Sequence, residues 1–373
     1  MRRVILFCIL FTLFSFGAAG QAEDAFTCPA DFAGYLPPRL VVNERARVTL
    51  GFPLNLRPQP TTDLARIEVI REGENVQVVD GPRCNQGFVW WQVALDDLRG
   101  WVAEGSGSDY FIEPRGQLIV VKGGDGITRR YVRDAEGNRE LEGCMRPPED
   151  YTRVQEGYAT LNTRTAFMLD QAQRIYDANG GIVNFRQAIT QGSYNAGGVT
   201  ASFGTHDGGG AVDISVRNVT DWSVLTTEIE PMVEALRTAG FAAWLRATND
   251  LYANSPIHIH AIAIGDADLS PAAQEQLDGQ YGYFYGYDGL PRENEIPVLE
   301  RHGGPILCNW MRDLGYEDAQ ATTEAAEVYY ASALNYYTLE EYTRAAQHIA
   351  AALAQEPTNA DYLALRADIA SAQ

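Results

Sequence analysis

The chain has 373 residues, with 49 acidic and 29 basic side chains and a formal net charge of -20. That surplus of acid excludes nucleic acid as a partner, because such binding rests on neutralising phosphates with Lys and Arg, and it disfavours adhesion to acidic membranes. The length exceeds what one ordinary hydrophobic core organises, so two or three domains are expected.

Residues 1–22 read as an export signal. Arg2 and Arg3 form a short basic start, Val4 to Ala19 is almost wholly apolar, and the small residues Ala18, Gly20 and Ala22 precede Glu23. A retained membrane anchor is the alternative, but the apolar run is at the short limit for a span and no basic flank follows it. Cys8 leaves with the signal, and Cys28, Cys84, Cys144 and Cys308 remain. An even number of cysteines in an exported chain implies disulfides, with three pairings open.

From Arg39 to about Glu113 short apolar runs alternate with Pro, Gly and Asp, the pattern of a small all-β barrel. The order Leu54–Thr61, Val76–Val79, Trp90–Val93 and Gly100–Val102 resembles the bacterial Src-homology-3-like domain, assigned here to residues 38–115. That resemblance implies a wall-binding role. Residues 116–150 are expected to be an open linker with one hairpin, Leu118–Val121 and Tyr131–Val132 flanking Gly123–Gly126.

Residues 151–318 switch to alternating helices and strands, an α+β domain with a small antiparallel sheet. Met168, Ala172 and Ile175 form one helix face after an Asn162/Thr163 cap. Strands are expected over Ile182–Thr190, Ala211–Val216, Phe241–Leu245 and Ile257–Ile264, with a helix from about Ser223 whose Pro231 either kinks it or marks its first turn. Residues 319–373 form a helical tail. Tyr329, Ala333, Tyr336, Ala345, Ile349, Ala352 and Pro357 match a tetratricopeptide-like repeat, a helical hairpin expected to lean on the preceding domain or on a protein partner, with Ala360–Ala370 as a cap helix. His348 is read as a packing or surface residue of this tail, and His302 as a loop residue beside a cleft.

Three of the five histidines fall in two short runs: His206-Asp-Gly-Gly-Gly-Ala-Val-Asp213 and His258-Ile-His260. The glycines between His206 and Asp213 let the chain turn tightly, so both side chains can return to one point. Alternate strand residues share a face, so His258 and His260 project together while Ile257, Ile259 and Ala261 pack behind them. Two imidazoles and a carboxylate with an open fourth position form a hydrolytic zinc site. His206, Asp213 and one histidine of the His258/His260 pair are the candidate ligands.

These two motifs together resemble the zinc D-Ala-D-Ala carboxypeptidase family of the lysostaphin, D-Ala-D-Ala peptidase and hedgehog superfamily, over about 160 residues. The resemblance implies Zn2+ held by His206, Asp213 and His260, with His258 as the catalytic residue beside the metal, acting as general base or oxyanion stabiliser. It implies peptidoglycan peptide as substrate and a secreted, wall-associated protein. Two positions depart from the family. Gly204 stands where a Ser is usual, and Gln191-Gly-Ser-Tyr-Asn195 lacks the Arg that would hold a substrate carboxylate. An endopeptidase or an amidase-like specificity therefore gains ground over a strict carboxypeptidase, unless Arg186 or Arg246 substitutes for the missing cation from elsewhere in the chain. The rival readings are a non-catalytic wall-binding protein with a structural zinc site and a tetratricopeptide-mediated scaffold. The aromatic run Tyr281–Tyr287 walls a groove or packs the core.

Overall fold

The computed structural model describes residues 28–29, 32, 34–122, 127–198, 200–290, 298–319 and 323–373, with side chains from 325 in the last segment. The expected export signal and the turn Gly123–Gly126 lie outside the described residues. The fold is mixed α and β, with several small antiparallel sheets and a C-terminal helical region. Among the described residues no helix is long and apolar enough to cross a membrane.

The N-terminal strands are β1 (Arg45–Val48), β2 (Leu54–Leu56), β3 (Glu68–Ile70), β4 (Asn75–Asn85), β5 (Phe88–Leu95), β6 (Leu98–Ala103), β7 (Gly105–Ser106) and β8 (Asp109–Tyr110). They are followed by β9 (Ile112–Lys122), β10 (Thr128–Arg133) and β11 (Arg139–Leu141). Seven of them form one sheet in the open order β11-β10-β9-β1-β4-β5-β6, while β2 pairs with β3 and β7 with β8. Arg57, just after β2, exchanges backbone hydrogen bonds with Trp101 on β6, so the β2–β3 hairpin adjoins the other edge of β6. The hairpin expected within residues 116–150 is present, Leu118 pairing with Val132 and Ile119 with Tyr131, but β9 runs straight through the expected boundary at 115/116, so this stretch continues the sheet and is less open than expected. The cause lies in β9 itself: its first half pairs with β1 and its second half with β10. The apolar faces bury Ala46, Val76, Val78, Trp91, Val93, Val102 and Ile112 as one core.

The next unit contains β12 (Arg153–Glu156), β13 (Ala159–Asn162), α1 (Thr163–Asp177), β14 (Ile189–Gln191), β15 (Ala211–Ser215), α2 (Ile229–Thr238), β16 (Phe241–Arg246) and β17 (His258–Ala263). The short helices α3 (Pro271–Asp278) and α4 (Asn309–Asp313) close it. Asn162 caps α1 by accepting from the Thr165 backbone N–H. Helix α2 begins later than expected, and Pro231 lies in its first turn, where no N–H is required. The strand expected over 182–190 shrinks to β14. Tyr176 Oη accepts the Ile182 N–H, the Asn184 side chain accepts the Gln187 N–H, and Ala188 N–H turns back to Asn184, so the backbone donors go into turns and not into a ladder.

The four-stranded sheet has the order β14-β15-β17-β16, all antiparallel. Its two faces follow the period of two. Val212, Ile214, Ala243, Ile259, Ala261 and Ala263 face α1 and α2 and merge with Met168, Leu169, Ala172, Met232 and Leu236. Ala211, Ala242, Trp244 and Ile262 face the other way, against Leu277, Tyr283, Phe284, Trp310 and Met311. The disulfides join Cys28 to Cys84 within the β-domain and Cys144 to Cys308 between the β11 connector and α4.

The tail consists of α5 (Thr323–Thr338), α6 (Tyr342–Gln355) and α7 (Ala360–Ala372). It leans on the preceding domain through the aromatic run: Tyr287 packs with Tyr329 and Tyr336, and Tyr329 donates to the Tyr285 carbonyl at 2.6 Å. The run is therefore packing. His348 is buried in this cluster, its ring 5.9 Å from that of Tyr287 and 5.1 Å from that of Tyr336. Burial, assisted by Arg344, lowers its pKa from 6.5 to about 4. The unfolded chain thus binds more protons between those values, and the tail loses stability as pH falls from about 6.5 to about 4. Protection factors of the α5–α7 amides in the full chain, that is, exchange rates normalised to the intrinsic rate at each pH, should fall between pH 7 and pH 5, and His348→Phe should remove most of that pH dependence. Equal protection at both pH values in the native chain would contradict the assignment.

Candidate metal centre

The sheet register assembles the site. Asp213 pairs with His260, and His260 with Trp244, while Ser215 pairs with His258 and His258 with Arg246. Asp213, His258, His260 and Arg246 therefore share the face away from α1 and α2. Asp213 Oδ1 lies 2.7 Å from His260 Nδ1 and 3.3 Å from His206 Nε2, and Asp213 Oδ2 lies 3.6 Å from His258 Nε2.

His206 arrives from a loop, which needs more support than a strand. Its Nδ1 is 2.9 Å from the Gly192 carbonyl, so Nδ1–H donates there and Nε2 is left as the free nitrogen. Asn195 N–H donates to the His206 carbonyl at 2.8 Å and Tyr194 N–H to the Gly208 carbonyl at 2.7 Å. Backbone groups of Gly192, Tyr194 and Asn195 thus hold the loop that carries His206. The glycines after His206 are required by close approach: a Cβ on Gly208 would lie 2.2 Å from the Asp268 carbonyl oxygen, and one on Gly209 2.7 Å from the Asp268 Cβ. Gly204 has φ +82, a conformation that a residue with a side chain would adopt only with strain.

His206, Asp213 and His260 are all buried, and one donor atom from each lies within 4.8 Å of the others, a group that can hold a metal ion. The Nε2 atoms of His206 and His260 are buried without hydrogen-bond partners. Nitrogens left in that state fit a metal, which would take a lone pair where no proton donor is provided. His258 is not part of the group; its Nδ1 lies 2.8 Å from the Pro256 carbonyl, which fixes Nε2 toward Asp213.

Burial works against the Asp213 carboxylate, yet the adjacent imidazoles of His206 and His260, the latter 2.7 Å away, hold its pKa well below the usual value. Burial likewise opposes protonation of His206, but the Asp213 carboxylate outweighs it and raises the pKa. For His260 burial wins, with His206 and Arg246 adding to it against Asp213, and the pKa falls to about 4. Neutral His260 beside an ionised carboxylate is the protonation state a metal site needs.

Arg246 lines the same small cavity as the ligands, with Nη1 donating to the Asp288 carbonyl at 2.6 Å. Arg186 does not reach it and pairs instead with Asp170 and Glu156. His302 is likewise elsewhere, 2.6 Å from Glu230. Sequence reasoning missed the Gly192 and Pro256 carbonyls, since every residue type offers the same backbone oxygen. No family model, curated protein or solved structure matches the chain.

If the group holds a divalent metal such as zinc, replacing His206, Asp213 or His260 with Ala should lower its affinity by about a hundredfold or more, whereas His258→Ala should leave the affinity unchanged. Equilibrium dialysis with metal analysis reads both outcomes, and full zinc occupancy in the three ligand variants would refute the assignment.

Proposed function

We propose that the chain is an exported zinc peptidase that hydrolyses a peptide bond in the D-Ala-containing stem or cross-link of bacterial peptidoglycan. The observation that carries this reading is the buried convergence of His206, Asp213 and His260, with His258 beside them and outside the donor group. The resemblance of the two motifs to the zinc D-Ala-D-Ala carboxypeptidase family supplies the substrate class. The apolar leader and the two disulfides support an extracytoplasmic location.

His206, Asp213 and His260 would hold the ion. Bound zinc acts as a Lewis acid and lowers the pKa of a coordinated water towards about 7. His258 has its Nδ1–H committed to Pro256, so its Nε2 lone pair is available to take the proton of the attacking water. The resulting imidazolium then faces the oxyanion that forms on the substrate carbonyl, and it can return the proton to the leaving amine. No cation comes from the Gln191–Asn195 loop to bind a free terminal carboxylate, and Arg246 is already engaged with Asp288 and Gln276. Cleavage inside a stem or cross-link therefore fits better than removal of a terminal D-Ala.

One observation favours a second reading, a wall-binding protein with a structural zinc. The cavity at the ligands measures only about 20 Å³, room for about one water and too little for a peptide. In the enzyme reading Phe203, Leu251 and Leu290, which line that cavity, must shift to admit substrate. The two readings separate on defined muropeptides incubated with the zinc-loaded full chain. The enzyme should release peptide, and His258→Ala should retain zinc while lowering turnover by about a hundredfold. Absence of any product from terminal or cross-linked substrates at zinc saturation would establish the structural role instead.

A further inference from the structure

Among the described residues three aromatic side chains stand on a left-handed backbone: Tyr194 with φ +56, Phe203 with φ +52 and Trp222 with φ +61. A Cβ makes that conformation costly, most of all under a bulky side chain, and glycine or asparagine is the usual occupant. Such strain persists only where the surrounding structure imposes it, and it gathers at sites that hold ligands.

Tyr194 is accounted for within the fold. Its hydroxyl donates to Asp268 Oδ2 at 2.6 Å, and its ring centroid lies 3.9 Å from the Arg153 guanidinium carbon. Phe203 has no such partners: it is 45% exposed and belongs to neither apolar core beside the four-stranded sheet. The backbone is pinned on both sides of it. Phe203 N–H donates to the Thr200 carbonyl at 3.1 Å, and the Ser202 carbonyl accepts from the Thr205 N–H at 2.9 Å and from the Thr205 hydroxyl at 2.8 Å. Glycine would make the same turn at less cost, and a ring left nearly half in water returns little burial to offset the strain.

The position supplies a reason for the ring. Phe203 lies three residues before His206 and lines the small cavity that His206, Asp213, His258 and His260 also line. Leu251 and Leu290 are the other large apolar residues there, but Leu290 is only 8% exposed and Leu251 is half-buried, so Phe203 is the least packed of the three. Trp222, at 71% exposure, is strained in the same way but does not line the cavity.

We propose that Phe203 is a specificity-determining residue of the candidate metal centre: its phenyl ring gives way to incoming substrate and then packs on the apolar side chain beside the attacked carbonyl. In the substrate class proposed above, on which this inference rests, that side chain is the D-Ala methyl. The ring offers an apolar face and no hydrogen-bonding atom, so it favours a methyl-bearing residue over glycine at that place.

The test uses the zinc-loaded full chain and two cross-linked muropeptide dimers, one with D-Ala and one with Gly beside the scissile carbonyl. The native chain should prefer the D-Ala dimer by about tenfold in kcat/KM, the usual worth of one apolar group in a pocket. Phe203→Gly should erase that preference and raise KM for the D-Ala dimer about tenfold with kcat nearly unchanged, the mark of a lost binding contact. Phe203→Leu should keep most of the preference, and Trp222→Gly should keep all of it. The thermal midpoint of Phe203→Gly should equal or exceed that of the native chain, because the strained ring is replaced by a residue that fits the turn. Unchanged KM and preference in Phe203→Gly, an equal loss in Trp222→Gly, or a lower thermal midpoint in Phe203→Gly would each overturn the assignment. Calorimetry on zinc-loaded His258→Ala separates this outcome from failure of the peptidase reading. If the native chain cleaves neither dimer, but His258→Ala binds the D-Ala dimer and loses about tenfold in affinity when Phe203→Gly is added, hydrolysis is refuted and the Phe203 contact stands. Neither cleavage nor binding at millimolar dimer refutes both.

Discussion

Asp213 and His260 stand directly opposite each other on β15 and β17, with a carboxylate oxygen 2.7 Å from an imidazole nitrogen. The rest of the candidate metal group depends on that cross-strand pair. Strand side chains alternate faces, so the register that aligns Asp213 with His260 also sends Val212, Ile214, Ile259 and Ala261 into the core against α1 and α2. A slip of one residue would bury a carboxylate and two imidazoles under the helices while exposing that apolar set. Hydrophobic burial therefore fixes the donor geometry, and the ligands do not have to enforce it themselves.

The electrostatic cost of the arrangement is met inside the cluster. A carboxylate as buried as Asp213 would ordinarily be driven toward its neutral form, but two imidazoles within 3.3 Å keep it ionised. His206 is the adjustable member, since it comes from a glycine-rich loop held by backbone carbonyls and amides of residues 192–195. Around this unit the chain is cross-braced. The Cys144–Cys308 disulfide, the Arg129–Glu234 pair and the Arg174 contact to the Glu72 carbonyl all join the N-terminal sheet and its extension to the domain that carries His206, Asp213 and His260. The stretch expected to be a linker is thus a structural bridge.

Much of this was legible in the sequence where a local period or cap dictates structure. The Asn162 cap, the apolar face of α1 and the His258–Ile259–His260 alternation each carry their own signal, and each lies where that signal puts it. His258 and His260 share a face because alternate positions of one strand point the same way, whereas Asp213 joins them through the register of β15 against β17 and His206 through its loop. Other features depend on partners far along the chain. Residues 182–188 have strand-like composition, yet Tyr176 and Asn184 capture their backbone groups into turns. Strand β9 crosses the expected domain boundary because β1 and β10 pair with its two halves. The placement of Arg246 beside the metal ligands, and of Arg186 away from them, follows from sheet order, which a single sequence does not state.

X-ray absorption at the zinc edge, on the metal-loaded full chain, tests the central claim most directly. The expected result is a four-coordinate site of two imidazole nitrogens, one carboxylate oxygen and one exchangeable water, with the imidazole signal reduced in His260→Ala and unchanged in His258→Ala. A shell with three imidazoles, or one containing sulfur, or a spectrum in which His258→Ala and not His260→Ala removes the imidazole contribution, would contradict it.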